Sequence, residues 1–265
     1  MIVSICIPTY NKAGAKHDCN YNNITMLLDL FESIKKQTFK EYEVIVSDHS
    51  TDDSILDICK EWEKELNISY YGYEENYGSC EANLNNSMKK ASGKFIKPML
   101  QDDYFYSENA LQRQVDALSS GEYKWVASGC LHINENNKQN THYPHPPSFN
   151  NPEGFLTGGN LIGSPSVIMH VNDGNLYDIN LIWLMDSDFY YSLFKEYSLP
   201  YLISELDFIS RLRSDGISNT MISNEVKEEE NIYLNDKHIQ KIITSNTIDS
   251  NKFPNIKKRI LNFKI

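Results

Sequence analysis

Arginine is almost missing from this chain: Arg113, Arg211, Arg213 and Arg259 are all there is in 265 residues, and they make no stripe. With a formal charge of -11, that scarcity argues against a nucleic acid ligand, because such binding draws much of its affinity from basic side chains replacing counterions on phosphates. A phosphorylated ligand would instead be neutralised by a cation held on carboxylates. Paired cysteines are missing too. Cys6, Cys19, Cys59, Cys80 and Cys130 are odd in number and contain no CxxC, so neither a disulfide framework nor a zinc knuckle is indicated, and a reducing compartment is expected. No apolar run approaches the roughly 18 residues of a membrane span. Met1 to Pro8 is too short for a signal h-region and has no basic segment before it. The expected location is cytoplasmic.

What is present is ordinary for a globular enzyme, 40% hydrophobic and 23% charged, in a chain long enough to bury a substantial core. The first half alternates β-rich runs with helical patterns, which predicts an α/β fold with a parallel sheet and helices on its faces. Ile2 to Ile7 reads as a buried strand, and Ile24, Leu27, Leu28, Phe31 and Ile34 as a helix face. Tyr42 to Val46 is a second strand ending at Asp48, and Ile55, Ile58, Cys59, Trp62 and Leu66 follow on one helix face behind the capping string Ser50-Thr51-Asp52-Asp53. Ile68 to Tyr73, a polar helix from Gly78 to Ala91, and Lys94 to Leu100 complete three βα units, the last stopping at Gln101-Asp102-Asp103. Ligands of open parallel sheets sit beyond the carboxyl ends of the strands, so Asp48, Asn76 and the acid pair should line one crevice. A helix around Leu111, Val115 and Leu118 and a strand from Trp125 to His132 follow. The Asn-, Pro- and His-rich stretch from Asn134 to Pro152 reads as a loop, and a second helical region starts near Trp183.

Five strings occur in order: Ile7-Pro8-Thr9-Tyr10-Asn11, Val46-Ser47-Asp48-His49-Ser50-Thr51-Asp52, Asn76-Tyr77-Gly78, Ala91-Ser92-Gly93 and Asp102-Asp103. Each stands at an expected strand end or helix start, and together they resemble the inverting family 2 glycosyltransferases of the GT-A fold. The resemblance implies a Rossmann-like, mostly parallel sheet with helices on both faces. It makes residues 1–132 the nucleotide-sugar half and residues 133–265 the acceptor half of one continuous domain. It further implies a UDP- or dTDP-sugar donor, a saccharide acceptor, Mn²⁺ or Mg²⁺, and a role in surface polysaccharide synthesis of the O-antigen, capsule or lipooligosaccharide type.

By the same resemblance Asp103 is the metal ligand and Asp102 the ribose or metal contact. Asp48 reads the base, with Pro8, Thr9, Tyr10, Asn11 and Asn76 around the nucleotide. Glu81-Ala82-Asn83-Leu84-Asn85 stands where the family carries Arg or Asn, leaving Asn83 or Asn85 for that role. Trp183-Leu184-Met185-Asp186-Ser187-Asp188 matches the family's Glu-Asp-x-Asp string with Met185 in the Glu position. Asp186 is the expected base and Asp188 the runner-up beside the acceptor, with Trp183, Gly159 and Asn160 shaping the acceptor site. Ser210 to Ser218 resembles an Arg-x-His-x-x-Ser string that closes over the diphosphate, which assigns Arg211 and Arg213 to the phosphates, with Arg213 in the His position.

His142 and His145 have HxxH spacing without a helix or a third ligand, so zinc is not indicated. The tail from Lys252 to Ile265 reads either as a docking helix or as an amphipathic helix on a membrane surface. The second reading would suit a lipid-linked acceptor and a peripheral position on the inner face of the membrane. Two other functions compete. A sugar-nucleotide pyrophosphorylase needs a Gly-rich basic loop after the first strand, where Tyr10 to Lys16 has one glycine and no arginine. A non-catalytic carbohydrate-binding relative would bind donor without turnover.

Overall fold

The computed structural model describes residues 1–11, 23–134, 141–213 and 222–238. The loop 12–16, residues 214–218 of the basic string and the tail 252–265 lie outside the described residues.

Strand β1 (Val3–Thr9) is buried at all seven positions, as a central strand covered on both faces must be. It runs parallel between β2 (Tyr42–Asp48) and β4 (Phe95–Pro98), and β3 (Ile68–Gly72) extends the sheet parallel to β2. The register places Thr9 opposite Asp48 and Asp48 opposite Gly72, so the carboxyl ends of these strands form one edge. Helices α1 (Asn23–Lys35), α2 (Ser54–Trp62) and α3 (Cys80–Lys89) make the connections. Composition marks α3 as polar, yet Glu81, Asn83, Asn85 and Ser87 are buried against β1 and β2. Its asparagines act as bolts: Asn83 Nδ2 donates to the Thr9 carbonyl at 2.9 Å, and Asn86 Nδ2 to Ser47 Oγ at 2.8 Å.

The turn into β4 explains the Ala91-Ser92-Gly93 string. Gly93 N donates to Ser4 Oγ at 2.8 Å, and a Cβ there would come within 2.7 Å of the Ser4 nitrogen. Only glycine lets the turn approach β1 that closely. That string therefore serves the fold rather than the ligand.

Beyond β4 the sheet turns mixed. β8 (Ile168–Val171) is antiparallel to β4 and to β6 (Trp125–Asn134), β9 (Tyr201–Leu212) is parallel to β6, and β5 (Tyr104–Phe105) closes the edge antiparallel to β9. Residue 132 falls inside β6, so both halves of the chain share one sheet, nine-stranded among the described residues. The expected loop from Asn134 to Pro152 contains β7 (Thr141–His145), paired with the end of β6. Its one proline, Pro144, lies in an edge strand, where a missing amide is tolerated. α4 (Ala110–Ser119) and α5 (Met185–Tyr197) fall where helical spacing put them, whereas β9 and α6 (Asn224–His238) had no clear sequence signal.

Candidate active site

At the carboxyl edge, Asp48 is 2% exposed and already engaged. Its Oδ1 accepts from Thr9 Oγ1 at 2.9 Å and from the Ser50 amide and hydroxyl at 3.0 and 2.7 Å; its Oδ2 accepts from Tyr70 at 2.9 Å. A base N–H would have to share or displace one of these donors. Pro8 faces Ser47 across the β1–β2 ladder. Asn11 donates to Ser50 after β2 and to Ser54 at the start of α2. Asn76 is exposed in the left-handed region at φ 51°, which asparagine tolerates, and the turn it makes sets Tyr77 edge-on to Tyr10 at 5.8 Å. Tyr77 also leans on His49 at 5.7 Å, and His49 stacks on Tyr73 at 5.1 Å. This aromatic wall, partly unforeseen, is a surface on which a base can stack. Asn83, expected at the nucleotide, is 2% exposed and grips Thr9 from inside, and Asn85 bonds the Tyr177 backbone twice at 2.8 Å. α3 therefore buttresses the crevice and offers neither asparagine to phosphate.

The acid pair divides its labour. Asp103 is 2% exposed, its Oδ2 accepting from Ser164 Oγ at 2.9 Å and its Oδ1 from the Arg211 amide at 3.3 Å. Asp102 is half-buried, and among the described residues no donor from another residue reaches its carboxylate. Burial, and then the neighbouring charge of Asp103, push Asp102 above the usual carboxylate range; burial does the same to Asp103, against the hydrogen bonds it accepts. Behind them sits the fully buried Lys97, unnoticed in the sequence, whose Nζ donates to the Ser166 and Ile168 carbonyls and lies 3.8 Å from the Phe208 ring centre. Burial drives its pKa well down.

Arg211 differs from expectation. It lies in β9, 7% exposed, bonded to Asp29 Oδ2 at 2.5 Å and to the Asp102 carbonyl at 2.9 Å, with Tyr104 under its guanidinium at 4.5 Å. It braces the acid pair from below. Arg213, just past the strand, is half-buried, contacts Asn23 at 3.3 Å and is within electrostatic reach of Asp102.

Asp186 opens α5, half-buried. Its Oδ2 accepts from Asn160 Nδ2 at 2.7 Å and its Oδ1 from the Ser187 amide at 2.7 Å, while burial pushes its pKa up to about 6. Asn160 folds its own loop, accepting from the Ile162 and Gly163 amides and donating to the Gly163 carbonyl. Four residues on, Ser164 reaches Asp103. One short loop thus joins the acid pair to the expected base. Gly158, at φ 85°, lets the Trp183 ring lie where a Cβ would approach within 2.8 Å, and the neighbouring Gly159 is exposed. Asp188 sits elsewhere: 2% exposed, it pairs with Lys237 at 2.8 Å and His238 at 2.6 Å. It fastens α6 to α5 and has no oxygen left for an acceptor.

The family model for glycosyl transferase family 2 matches residues 4–183. An uncharacterized glycosyltransferase of Rickettsia bellii is 29% identical over 136 residues, 51% of this chain and 18% of that protein. The GalNAc(5)-diNAcBac-PP-undecaprenol beta-1,3-glucosyltransferase of Campylobacter jejuni is 29% identical over 136 residues, 51% of this chain and 40% of its own. The chain thus spans less than half the length of either relative. Among solved structures, Staphylococcus aureus TarS 1-349 with UDP-GlcNAc superimposes with a TM-score of 0.65 at 19% identity, covering 99% of this chain and 72% of that one. The mannosyltransferase PcManGT of Pyrobaculum calidifontis with GDP-Man and Mn²⁺ gives 0.57 at 14% identity, covering 99% and 68%. With its strand-end motifs gathered on one edge of an α/β sheet of the GT-A type, and with the family model spanning 180 of its 265 residues, the chain belongs to glycosyl transferase family 2.

Proposed function

We propose that this enzyme moves a sugar from a UDP- or dTDP-sugar to a hydroxyl of a saccharide acceptor, with inversion, through a single displacement. The observation that carries the proposal is the loop from Asn160 to Ser164, which bonds Asp186 at one end and Asp103 at the other. A base and a diphosphate-anchoring pair tied to one loop can flank the reacting carbon. Asp186 Oδ accepts the proton of the acceptor hydroxyl, whose oxygen bonds to the sugar C1 as the bond from C1 to the phosphate oxygen breaks and the nucleotide diphosphate departs. A pKa near 6 suits the task, leaving the carboxylate ionised at neutral pH and more basic than an exposed aspartate.

A divalent cation fits the acid pair. Asp102 has a carboxylate that no other described residue satisfies, with the buried charge of Asp103 behind it. The motif assigns the metal to Asp103, but Asp103 already accepts from Ser164 and the Arg211 amide, so Asp102 would be the chief ligand of Mn²⁺ or Mg²⁺ and Asp103 would support it. Among the described residues no cluster of three or more acidic, His or Cys side chains forms a metal cage, so the remaining ligands would come from the donor and water. Bound there, the ion offsets charge on the leaving diphosphate. Tyr10 and Tyr77 offer the base a stacking face, and Arg213 stands on the phosphate side.

The names of two relatives, one concerned with an undecaprenol-linked saccharide and one with poly(ribitol-phosphate), support a surface-polysaccharide acceptor, lipid-linked or polymeric. Among the described residues no helix is long and apolar enough to cross a membrane. The test is a thermal-shift panel of UDP-, dTDP- and GDP-sugars with Mn²⁺, since a bound donor raises stability by mass action. Stabilisation by UDP- or dTDP-sugars that EDTA removes is expected. A response to GDP-sugars alone would overturn the donor assignment.

A further inference from the structure

The family model stops at residue 183, three residues short of Asp186, and α6 lies wholly beyond it. Yet α6 reaches back to the base. Glu230, with no exposed surface, accepts from the Ile182 amide at 3.0 Å through Oε1, and from the Trp183 and Leu184 amides, each at 2.9 Å, through Oε2. These are the last amides before α5, which otherwise would stand unsatisfied at its start. Two further ties flank the first: Lys237 joins Asp178 to Asp188 at 2.7 and 2.8 Å, and Tyr233 donates to Asp178 at 2.8 Å.

We propose that Glu230 is a positioning residue for sugar transfer: by holding the three amides ahead of α5 it sets where Asp186 meets the acceptor hydroxyl, and it places its own carboxylate behind that of Asp186. The inference rests on Asp186 being the base. A carboxylate bonded to three amides at the positive end of a helix is stable even when buried. Its charge opposes ionisation of Asp186, and so strengthens it as a proton acceptor. The other groups facing Asp186 do not supply this. Asn160 is neutral and stabilises the ionised form, Tyr177 and Tyr190 are buried hydroxyls pushed well above the ordinary tyrosine range, Lys227 sits 5.4 Å over the Trp183 ring, and Asp188 is paired with Lys237 and lies 2.6 Å from His238.

The test compares Glu230→Gln with the unaltered chain by carbon-13 carboxyl titration, the Asp186 signal being assigned by its loss in Asp186→Asn. The midpoint should fall by about half a unit once the charge is removed, while the amides of residues 182–184 should exchange with solvent about tenfold faster. Faster exchange with an unmoved midpoint would reduce Glu230 to a structural cap and overturn the inference. Should Glu230→Gln fail to fold, Glu230→Asp takes its place. Its shorter side chain should speed exchange and lower the midpoint by less, and unchanged exchange there overturns the inference equally. No substrate is needed, so this outcome is separate from the transferase reading, which fails instead if Asp186→Asn turns donor over normally.

Discussion

Asp103 and Asp186 are joined through a single loop: Ser164 donates to Asp103 Oδ2 at 2.9 Å, and Asn160 donates to Asp186 Oδ2 at 2.7 Å. Whatever displaces that loop moves the acid pair and the proposed base together, and most of the outcomes expected of mutants follow from this.

Asp186→Asn keeps the shape of the site and removes the proposed proton acceptor. Transfer should fall by about 10³-fold, with the Mn²⁺-dependent thermal shift on donor binding unchanged. A transfer rate within a few-fold of the unaltered enzyme would show that another group takes the proton.

The rate should depend on pH through the same carboxylate. Burial raises Asp186 to about 6, and only the ionised form accepts a proton, so turnover should be flat above that pH and fall by about tenfold per unit well below it. Stability runs the other way. The folded pKa lies above the unfolded value, so the ionised carboxylate costs stability at neutral pH, and that cost is relieved as pH falls through 6 toward 4. A pH–rate profile with no acid limb near 6 would contradict the assignment.

Asn160→Ala removes a donor from the ionised form of Asp186. Losing a hydrogen bond to the charged state raises a carboxyl pKa, so the acid limb should move to higher pH while the plateau drops as the loop loosens. A limb that moves to lower pH would refute this account of the bond.

The two aspartates of the pair should separate by mutation. Asp102→Asn should abolish the Mn²⁺-dependent donor shift with little change in melting temperature. Asp103→Ala should abolish it and also cost about 1–3 kcal/mol, because the Ser164 hydroxyl and the Arg211 amide lose a buried acceptor. Thermal denaturation with and without Mn²⁺ checks both, and EDTA should silence the unaltered enzyme until Mn²⁺ is returned.

Gly158→Ala tests the acceptor wall. At φ 85° and with Trp183 within 2.8 Å of the added carbon, the change should cost about 1–2 kcal/mol and push the indole aside. The expected kinetic result is a higher KM for acceptor with donor affinity intact; an unchanged acceptor KM would remove Trp183 from that wall.

The sequence by itself determined the βα units, the edge on which the ligand site forms, and the acid pair at the end of β4. These are local properties: apolar periodicity sets strand and helix, and strand ends set the crevice. The acidic string around Asp186 could be read too, but a place beside an acceptor does not fit the burial of Asp188 against Lys237 and His238, because a carboxylate's partner cannot be read from its own segment. Tertiary structure alone decided which acids are engaged and which are available. Asn160 meets Asp186 across 26 residues, Glu230 meets Leu184 across 46, and Ser164 meets Asp103 across 61. No periodicity encodes such bonds, since a hydrogen bond depends on where folded elements pack and leaves no pattern along the chain. The role of α3 shows the same limit: its polar composition suggests a solvated helix, and only the packed sheet reveals asparagines turned inward to hold the strand ends that shape the site.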